Sequence, residues 1–252
     1  MIEIRPITAI ESETFLALLC KVFDLDTSRA RSVFYSEPFY DLKHKWALFD
    51  SGRMVSILTT TPLTFGWGNA IGVAGVATLE SEQGQGYASL LLSVAAPDAV
   101  PSLLFARDPR VYLQQGFAVV DEVVRGALVT EDSLDERAPL AFEPVRDRYE
   151  AWASEDVNRL QRDKLRWEYW KWNYRTCESC DDGYLAIEST AIREIVASSV
   201  PSVLPLFGGT DWFGLRSMTE AMQIPVISPE RDLYLMTRGL PAPPQMFMTD
   251  QF

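Results

Sequence analysis

Hydrophobic positions follow two different periods in the first part of the chain. The alternating or continuous apolar runs that are typical of strands occur at 2–6, 45–49, 54–63 and 71–79. Between the first two of them, residues 9–23 carry apolar side chains at approximately helical spacing, and residues 28–35 predict a second, shorter helix. Asp50-Ser51-Gly52 is a turn-forming run between two strands. The pattern therefore predicts a strand, two helices and then antiparallel hairpins.

A glycine-rich turn follows the strand at 71–79 and leads into an apolar helix, predicted from about Tyr87 to Ala96. The turn reads Gln83-Gly84-Gln85-Gly86-Tyr87-Ala88. The first N–H groups of a helix have no intrahelical acceptor, and the helix dipole makes that end positive. Glycines let an anion approach the backbone closely. This junction therefore predicts an anion site, and a pyrophosphate is its natural occupant.

The chain continues with a strand, a short helix and another strand, predicted at 102–106, 110–115 and 117–129. The glycine-rich turn thus lies inside a βαβ unit that follows the antiparallel hairpins. These elements predict an α/β (α+β) fold, with a mixed, mostly antiparallel sheet flanked by helices.

Two common glycine-rich phosphate motifs do not match this turn. A dinucleotide-binding fingerprint needs a third glycine where the chain has Ser89, so a nicotinamide-dependent enzyme is disfavoured. A P-loop needs a lysine followed by serine or threonine, and no lysine lies nearby. The pattern that fits is Gln/Arg-x-x-Gly-x-Gly/Ala, which Gln83, Gly86 and Ala88 meet.

This pattern resembles the acetyl-coenzyme A signature of the GNAT N-acetyltransferase superfamily. Tyr112, Gly116 and Phe117 are similar to the Tyr-x-x-x-Gly-Phe segment that follows the family's fifth strand, and residues 2–7 are similar to its first strand. The resemblance covers roughly residues 1–130. It implies a GNAT-type sheet and acyl transfer from acetyl-CoA, a co-substrate, to an amine.

The rest of the chain resembles a degenerate second copy of the same fold. Polar and acidic residues at 130–140 predict a linker between an acetyl-CoA-binding domain, residues 1–130, and a C-terminal GNAT-like domain, residues 140–252. The second half has no Gln/Arg-x-x-Gly-x-Gly/Ala pattern, so it is not expected to bind coenzyme A in the same way. This arrangement is similar to tandem GNAT proteins related to the enhanced intracellular survival acetyltransferase.

The resemblance assigns the coenzyme A contacts mainly to the backbone. It implies that the strand before the turn pairs with the pantetheine arm and that the turn binds the pyrophosphate. The residues so implied are Val76, Ala77, Thr78, Gln83, Gly84, Gln85, Gly86, Tyr87 and Ala88. The alternative is a tight strand–helix turn that holds no ligand.

Direct transfer to an amine needs a base for the amine, whose pKa is about 10.4, and a proton donor for the departing thiolate. Family members often place a tyrosine at the position of Tyr112 as the donor, and its alternative role is to pack over the pantetheine. Glu80, at the strand end, is one candidate base. The resemblance to tandem members makes the α-carboxylate of Phe252 another, unless this apolar tail only packs on the core.

The composition of the 252 residues narrows the choice of partners. A net charge of −12 and a pI of about 4.6 argue against nonspecific binding to nucleic acid or anionic membranes, and weakly favour cationic partners. No apolar run approaches the ~20 residues that span a bilayer. The N-terminus does not have the pattern of a signal peptide, so we expect a cytoplasmic protein. With one histidine and three cysteines, we expect no metal site.

Residues 149–175 predict a helical stretch that is rich in aromatic and basic side chains. Trp167, Trp170 and Tyr174 share one helical face, which favours core packing between the halves over a wall of a substrate pocket. The basic residues are interpreted as a solvated helix face rather than an RNA-binding surface. They are Arg162, Lys164, Arg166, Lys171 and Arg175.

These features together predict an N-acetyltransferase that moves an acetyl group to a primary amine of a small molecule or basic peptide in a ternary complex. The alternative is a non-catalytic regulator or scaffold that binds coenzyme A. The sequence leaves the acceptor, the base and homo-oligomerisation open.

Overall fold

The structure is a computed structural model that describes residues 1–132, 139–173, 177–180, 183–200, 204–206 and 210–252. Its helices are α1 (Ser12–Phe23), α2 (Thr27–Ser36), α3 (Tyr87–Ala95), α4 (Arg110–Leu113), α5 (Phe142–Ser154), α6 (Lys164–Asn173) and α7 (Arg216–Ala221). The strands of the first half are β1 (Ile2–Pro6), β2 (Lys45–Asp50), β3 (Arg53–Phe65), β4 (Gly68–Thr78), β5 (Ser102–Ala106), β6 (Ala118–Leu128) and β7 (Thr130–Asp132). Those of the second half are β8 (Pro139–Leu140), β9 (Leu160–Gln161), β10 (Cys177–Cys180), β11 (Gly183–Glu188), β12 (Ala191–Val196), β13 (Leu204–Leu206), β14 (Asp211–Leu215) and β15 (Val226–Arg238).

One continuous sheet joins the two halves of the chain. Its strand order is β1-β2-β3-β4-β5-β15-β6-β14-β12-β11-β10-β8. In this order β15, the last strand of the second half, lies between β5 and β6 of the first half. In turn, β6 pairs with β14 of the second half. The halves therefore exchange their final long strands, and β6 and β15 pair at the centre of the sheet.

The order of elements in the first half recurs in the second. Two helices follow the opening strand in both halves, and β12 runs parallel to β14 as β4 does to β5. Within the described residues, no helix between β12 and β14 corresponds to α3. This architecture confirms the predicted fold class, a mixed and mostly antiparallel sheet flanked by helices. The proposed boundaries, 1–130 and 140–252, stay a prediction, and residues 133–138 of the predicted linker lie outside the described residues.

The main hydrophobic core lies between the halves. Phe65 and Leu103 of the first half pack in the same cluster as Tyr149, Trp167 and Trp170 of the second. The indole rings of Trp167 and Trp170 are 5.7 Å apart at their centroids and nearly perpendicular. Core packing of these two residues is therefore confirmed, whereas Tyr174 of the same predicted face lies outside the described residues.

Two expectations about the second half are wrong. Arg162 and Arg166, interpreted as part of a solvated face, are buried, because two buried carboxylates compensate their charges. The run Gly-Gly-Thr-Asp-Trp at 208–212 predicts a turn, but Asp211 and Trp212 belong to β14 and pair with β6 and β12. Arg175, and the glycines assigned to that turn, lie outside the described residues. In the described part of the chain, no helix is both long and apolar enough to cross a membrane.

Candidate active site

Strands β4 and β5 separate partway along their length. They pair only from Ile71 to Val73 on the β4 side. Beyond that point β5 continues beside β15, while β4 continues beside β3 as far as Thr78. A bulge interrupts the β3–β4 pairing where β4 leaves β5, and Gly75 has a φ of +59° there. The edge of β4 over Val76, Ala77 and Thr78 is consequently open on the β5 side.

The glycine-rich turn follows directly from this open edge. A short 3-10 turn over Glu80–Glu82 leads into Gln83, and α3 begins at Tyr87. Gly84 and Gly86 have φ values of +79° and +77°, and no heavy atom lies within 4 Å of where their Cβ would stand. Because Gly86 is the N-cap and has no side chain, it caps none of the first N–H groups of α3. These N–H groups and the exposed glycines form a backbone surface that can accept an anion.

Side chains attach both ends of the turn to the sheet. The Gln83 Nε2 group donates to the backbone oxygen of Thr78 over 3.4 Å. The Tyr87 hydroxyl donates to Asp50 in the β2–β3 turn over 3.1 Å, and this hydrogen bond raises the pKa of Tyr87. Both polar groups are thus used within the protein, which leaves the backbone of Gly84, Gln85, Gly86 and Ala88 as the part of the turn that an anion could contact.

Tyr112 lies on α4, the short helix between β5 and β6. It packs against the hydrophobic cluster that also holds Val76, Leu79 and Tyr87, and its ring meets Phe117 edge-on with centroids 6.3 Å apart. Burial raises the pKa of the Tyr112 phenol, because the low-dielectric surroundings disfavour its ionised form. The hydroxyl is therefore protonated at neutral pH and can act as a proton donor.

A cavity of about 540 Å³ lies on the other side of β4. Helices α1 and α2 form one wall, β3 and β4 form the floor, and α6 with the C-terminal tail completes it. The cavity reaches β4 at Ala74 and Gly75, where the strand begins to diverge from β5. Asp26 caps α2 by accepting a hydrogen bond from the Arg29 N–H over 2.7 Å, which fixes the start of that wall.

The C-terminal tail docks beside β4. Gln251 and Phe252 line the cavity, and the Phe252 ring lies over Gly72. A Cβ at Gly72 would stand 2.7 Å from that ring, so the contact depends on the missing side chain. The ring also packs against Phe105 of β5, with centroids 5.5 Å apart. The tail therefore lies where β4 and β5 separate.

A buried charge network holds this tail in place. The Arg162 guanidinium donates to Glu194 over 2.6 and 3.1 Å and to Asp250 over 2.7 Å, and the three side chains have no solvent exposure. Glu194 also accepts hydrogen bonds from Tyr184, Trp170 and Thr249. Because Thr249 and Asp250 directly precede Gln251 and Phe252, the network fixes the position of the residues that enter the cavity.

Two residues of α6 hold the backbone of the tail. Arg166 donates to the carbonyl oxygens of Asp250 and Pro62, each over 3.2 Å, and so connects the tail to β3. The Tyr169 hydroxyl donates to the Gln251 carbonyl oxygen over 3.2 Å. Sequence reasoning missed this arrangement. The available signal was the joint occurrence of arginines, aromatic residues and an apolar tail.

The candidate bases occupy different positions. Glu80 is exposed at the start of the 3-10 turn and does not line the cavity. Phe252 lines the cavity wall and lies near the β4–β5 divergence. Val76, Ala77 and Thr78 thus lead into the glycine-rich turn, and Tyr112 packs on the same hydrophobic cluster as Val76 and Tyr87. Phe252 contacts β4 at Gly72. The catalytic and binding roles of all these residues remain predictions.

Residues 3–120 match the family model of the acetyltransferase (GNAT) domain. This part of the chain is a GNAT domain. The match contains the open edge of β4, the glycine-rich turn and Tyr112, so these features belong to an acetyltransferase framework. A comparison with curated proteins finds no match.

Solved structures share this fold over nearly the whole chain. A GCN5-related N-acetyltransferase from Kribbella flavida aligns with a TM-score of 0.68 at 13% identity, covering 94% of this chain and 70% of that one. A putative acetyltransferase from Pyrococcus horikoshii gives 0.70 at 13% identity, covering 97% and 91%. Eis1 from Mycobacterium abscessus gives 0.59 at 15% identity, covering 93% and 73%. The fold likeness therefore includes the second half as well as the GNAT domain.

The groups that could hold a ligand at the open edge and the glycine-rich turn belong mainly to the backbone. Among the described residues, no group of three or more His, Cys, Asp or Glu side chains could hold a metal ion. The residues of the turn and of the open edge fit a nucleotide cofactor that carries a thioester. An exposed N-terminal helix end suits a pyrophosphate, and an open strand edge suits an amide-containing arm.

Proposed function

We propose that the protein transfers the acetyl group of acetyl-CoA to a primary amine by direct attack in a ternary complex. The observation that carries this proposal is the continuity of three surfaces along β4. The glycine-rich turn lies at one end, the open edge over Val76–Thr78 lies in the middle, and the cavity meets the strand at Ala74 and Gly75. A thioester held along this edge would present its carbonyl to an amine in the cavity.

The reaction breaks the thioester C–S bond and forms an amide C–N bond. The attacking amine must lose a proton, and the departing thiolate must gain one. The protonated, half-buried Tyr112 phenol packs on the same hydrophobic cluster as Val76 of the open edge and would supply the proton to the sulfur. The Phe252 α-carboxylate, on the cavity side, and Glu80, at the turn, are the candidate bases for the amine.

A thiol-release assay with acetyl-CoA and a panel of primary amines tests this function. We expect Tyr112→Phe to lower kcat by about 10²- to 10⁴-fold, as loss of a general acid does, with little change in the KM for acetyl-CoA. An unchanged kcat would remove the proton-donor role. If coenzyme A raises the melting temperature but no amine is acetylated, the protein is a non-catalytic coenzyme A-binding regulator or scaffold.

Two further variants distinguish the candidate bases. Gly72→Ala places a methyl group 2.7 Å from the Phe252 ring and should displace the ring. Glu80→Gln removes the exposed carboxylate. If Phe252 provides the base, Gly72→Ala lowers kcat while Glu80→Gln does not, and the reverse result assigns the role to Glu80.

A further inference from the structure

The interior of the cavity is mainly apolar. Phe15 and Leu16 of α1 and Phe34 of α2 form its deep wall, and each is at most 5% exposed. Leu19 and Phe39 extend this surface. A volume of about 540 Å³ lies within the range of small-molecule sites. The cavity therefore suits an organic molecule whose body is largely hydrocarbon.

The buried charged groups of the cavity are paired inside the protein, whereas Asp24, Asp26 and Arg29 line its exposed mouth. The buried Lys45 ammonium lies 2.6 Å from the Glu37 carboxylate and 5.2 Å from the centre of the Phe34 ring. Arg166 is engaged with the tail and with β3. A polycation that entered would lose hydration at ammonium groups placed against the apolar wall, and among the side-chain carboxylates of the lining only Asp24 and Asp26, at the mouth, could pair with them.

The mouth of the cavity carries apolar side chains beside its charged ones. Leu25, between α1 and α2, and Val33, on α2, are 44% and 42% exposed, and both line the cavity. Exposed apolar side chains at the entrance of a pocket are stabilised when an apolar group covers them. The apolar surface thus runs from the entrance to the deep wall.

We propose that the acceptor is a monoamine with an alkyl or aryl body. This inference rests on the proposed acetyl transfer. The amine must reach Ala74 and Gly75, because that part of the cavity meets the open edge of β4. The hydrocarbon body then lies between α1 and α2 and extends towards Leu25 and Val33. Polyamines, aminoglycosides and basic peptides fit this surface less well, despite the net charge of the chain.

A matched series of amines tests the acceptor class. The kcat/KM values of propylamine, hexylamine, octylamine and 2-phenylethylamine are compared with those of spermidine and an aminoglycoside at saturating acetyl-CoA. We expect kcat/KM to rise along the alkyl series by at least tenfold, since one methylene in an apolar pocket changes it by about 10–200-fold. The polycations should fall at least tenfold below octylamine.

A variant that adds a charge at the mouth of the cavity tests the same inference from the side of the protein. Val33→Asp should lower kcat/KM for octylamine by at least tenfold, with the KM for acetyl-CoA and the melting temperature unchanged. Val94→Asp is the matched control, because Val94 lies on helix α3 with 41% exposure and does not line the cavity. Calorimetric binding of octylamine in the presence of coenzyme A, with both variants, gives a readout that does not depend on turnover.

The outcomes separate this inference from the proposed function. Transfer to spermidine or the aminoglycoside that equals or exceeds transfer to octylamine would leave acetyl transfer intact and overturn the inference. If no amine is acetylated, octylamine binding that Val33→Asp abolishes and Val94→Asp preserves supports the apolar site alone. Octylamine binding that is undetectable, or equal in both variants, overturns it.

Discussion

Neutralising Glu194 should destabilise the whole protein and displace the tail. Two arginines, Arg162 and Arg166, face two carboxylates, Glu194 and Asp250, in a buried network whose formal charge sums to zero. Glu194→Gln would leave one uncompensated positive charge where no side chain is more than 3% exposed. It would also weaken the hydrogen bonds that Glu194 accepts from Tyr184, Trp170 and Thr249.

The expected cost follows from the burial of the pair. Removing one partner of a buried ion pair costs about 3–5 kcal/mol, because the remaining charge stays desolvated. For a chain of this size each kcal/mol lowers the melting temperature by roughly 2–4 °C, so a fall of about 6–20 °C is expected. Calorimetry and urea unfolding would measure the change in the free energy of unfolding.

Two controls test whether the loss of stability comes from the burial of the unpaired charge. Glu168→Gln breaks the exposed pair with Lys171, whose atoms are 2.8 Å apart, and should cost at most ~1 kcal/mol. The double variant Arg162→Met with Glu194→Leu removes opposite charges together and should recover part of the stability. A Glu194→Gln protein that unfolds within 1 kcal/mol of the wild type would refute the assigned role of the network in holding the tail.

Two other perturbations test separate parts of the molecule. Gly86→Ala puts a side chain on a backbone with φ +77°, which costs about 1–2 kcal/mol and narrows the anion surface. We expect the Kd of coenzyme A to rise by about tenfold or more in titration calorimetry, whereas Gly239→Ala, at φ +71° and away from the turn, should leave it unchanged. Glu11 has a pKa lowered from 4.5 to about 2, chiefly by its hydrogen bond with Arg5. The stabilising effect of the ionised Glu11 is present above pH 4.5 and is lost as the pH falls towards 2. Over that interval the melting temperature of the wild type should therefore fall more steeply than that of Glu11→Gln. Parallel curves of melting temperature against pH would contradict this.

The pattern of neighbouring residues in the sequence was enough to predict the junction between β4 and α3, where we propose that coenzyme A binds. The apolar run before Gln83, the two glycines and the helix from Tyr87 are adjacent in sequence, so their periods and turn chemistry specify the junction directly. The strand at 102–106 was predicted with the bounds that β5 has. Gly75 was a further local signal, since an isolated glycine inside a strand pattern indicates a bulge.

Other features depend on partners that are far apart in sequence. The burial of Arg162 requires Glu194, at a separation of 32 residues, and Asp250, at a separation of 88. A helix rich in arginine and lysine therefore has the sequence pattern of a solvated face until the facing carboxylates are known. The strand exchange is equally nonlocal, because no feature of Leu233–Met236 shows that its neighbour is β5.

Because of the exchanged strand, the geometry of the candidate site depends on both halves of the chain. Strand β5 pairs with β15 over Ser102–Ala106, but with β4 only over Ser102–Leu104. The direction of β5 beyond this point, and with it the gap beside Val76–Thr78, therefore depends on a strand from the second half. The same half supplies α6 and the tail that close the cavity. A second half that lacks the glycine-rich pattern thus contributes to the candidate site through the geometry of β5 and one wall of the cavity.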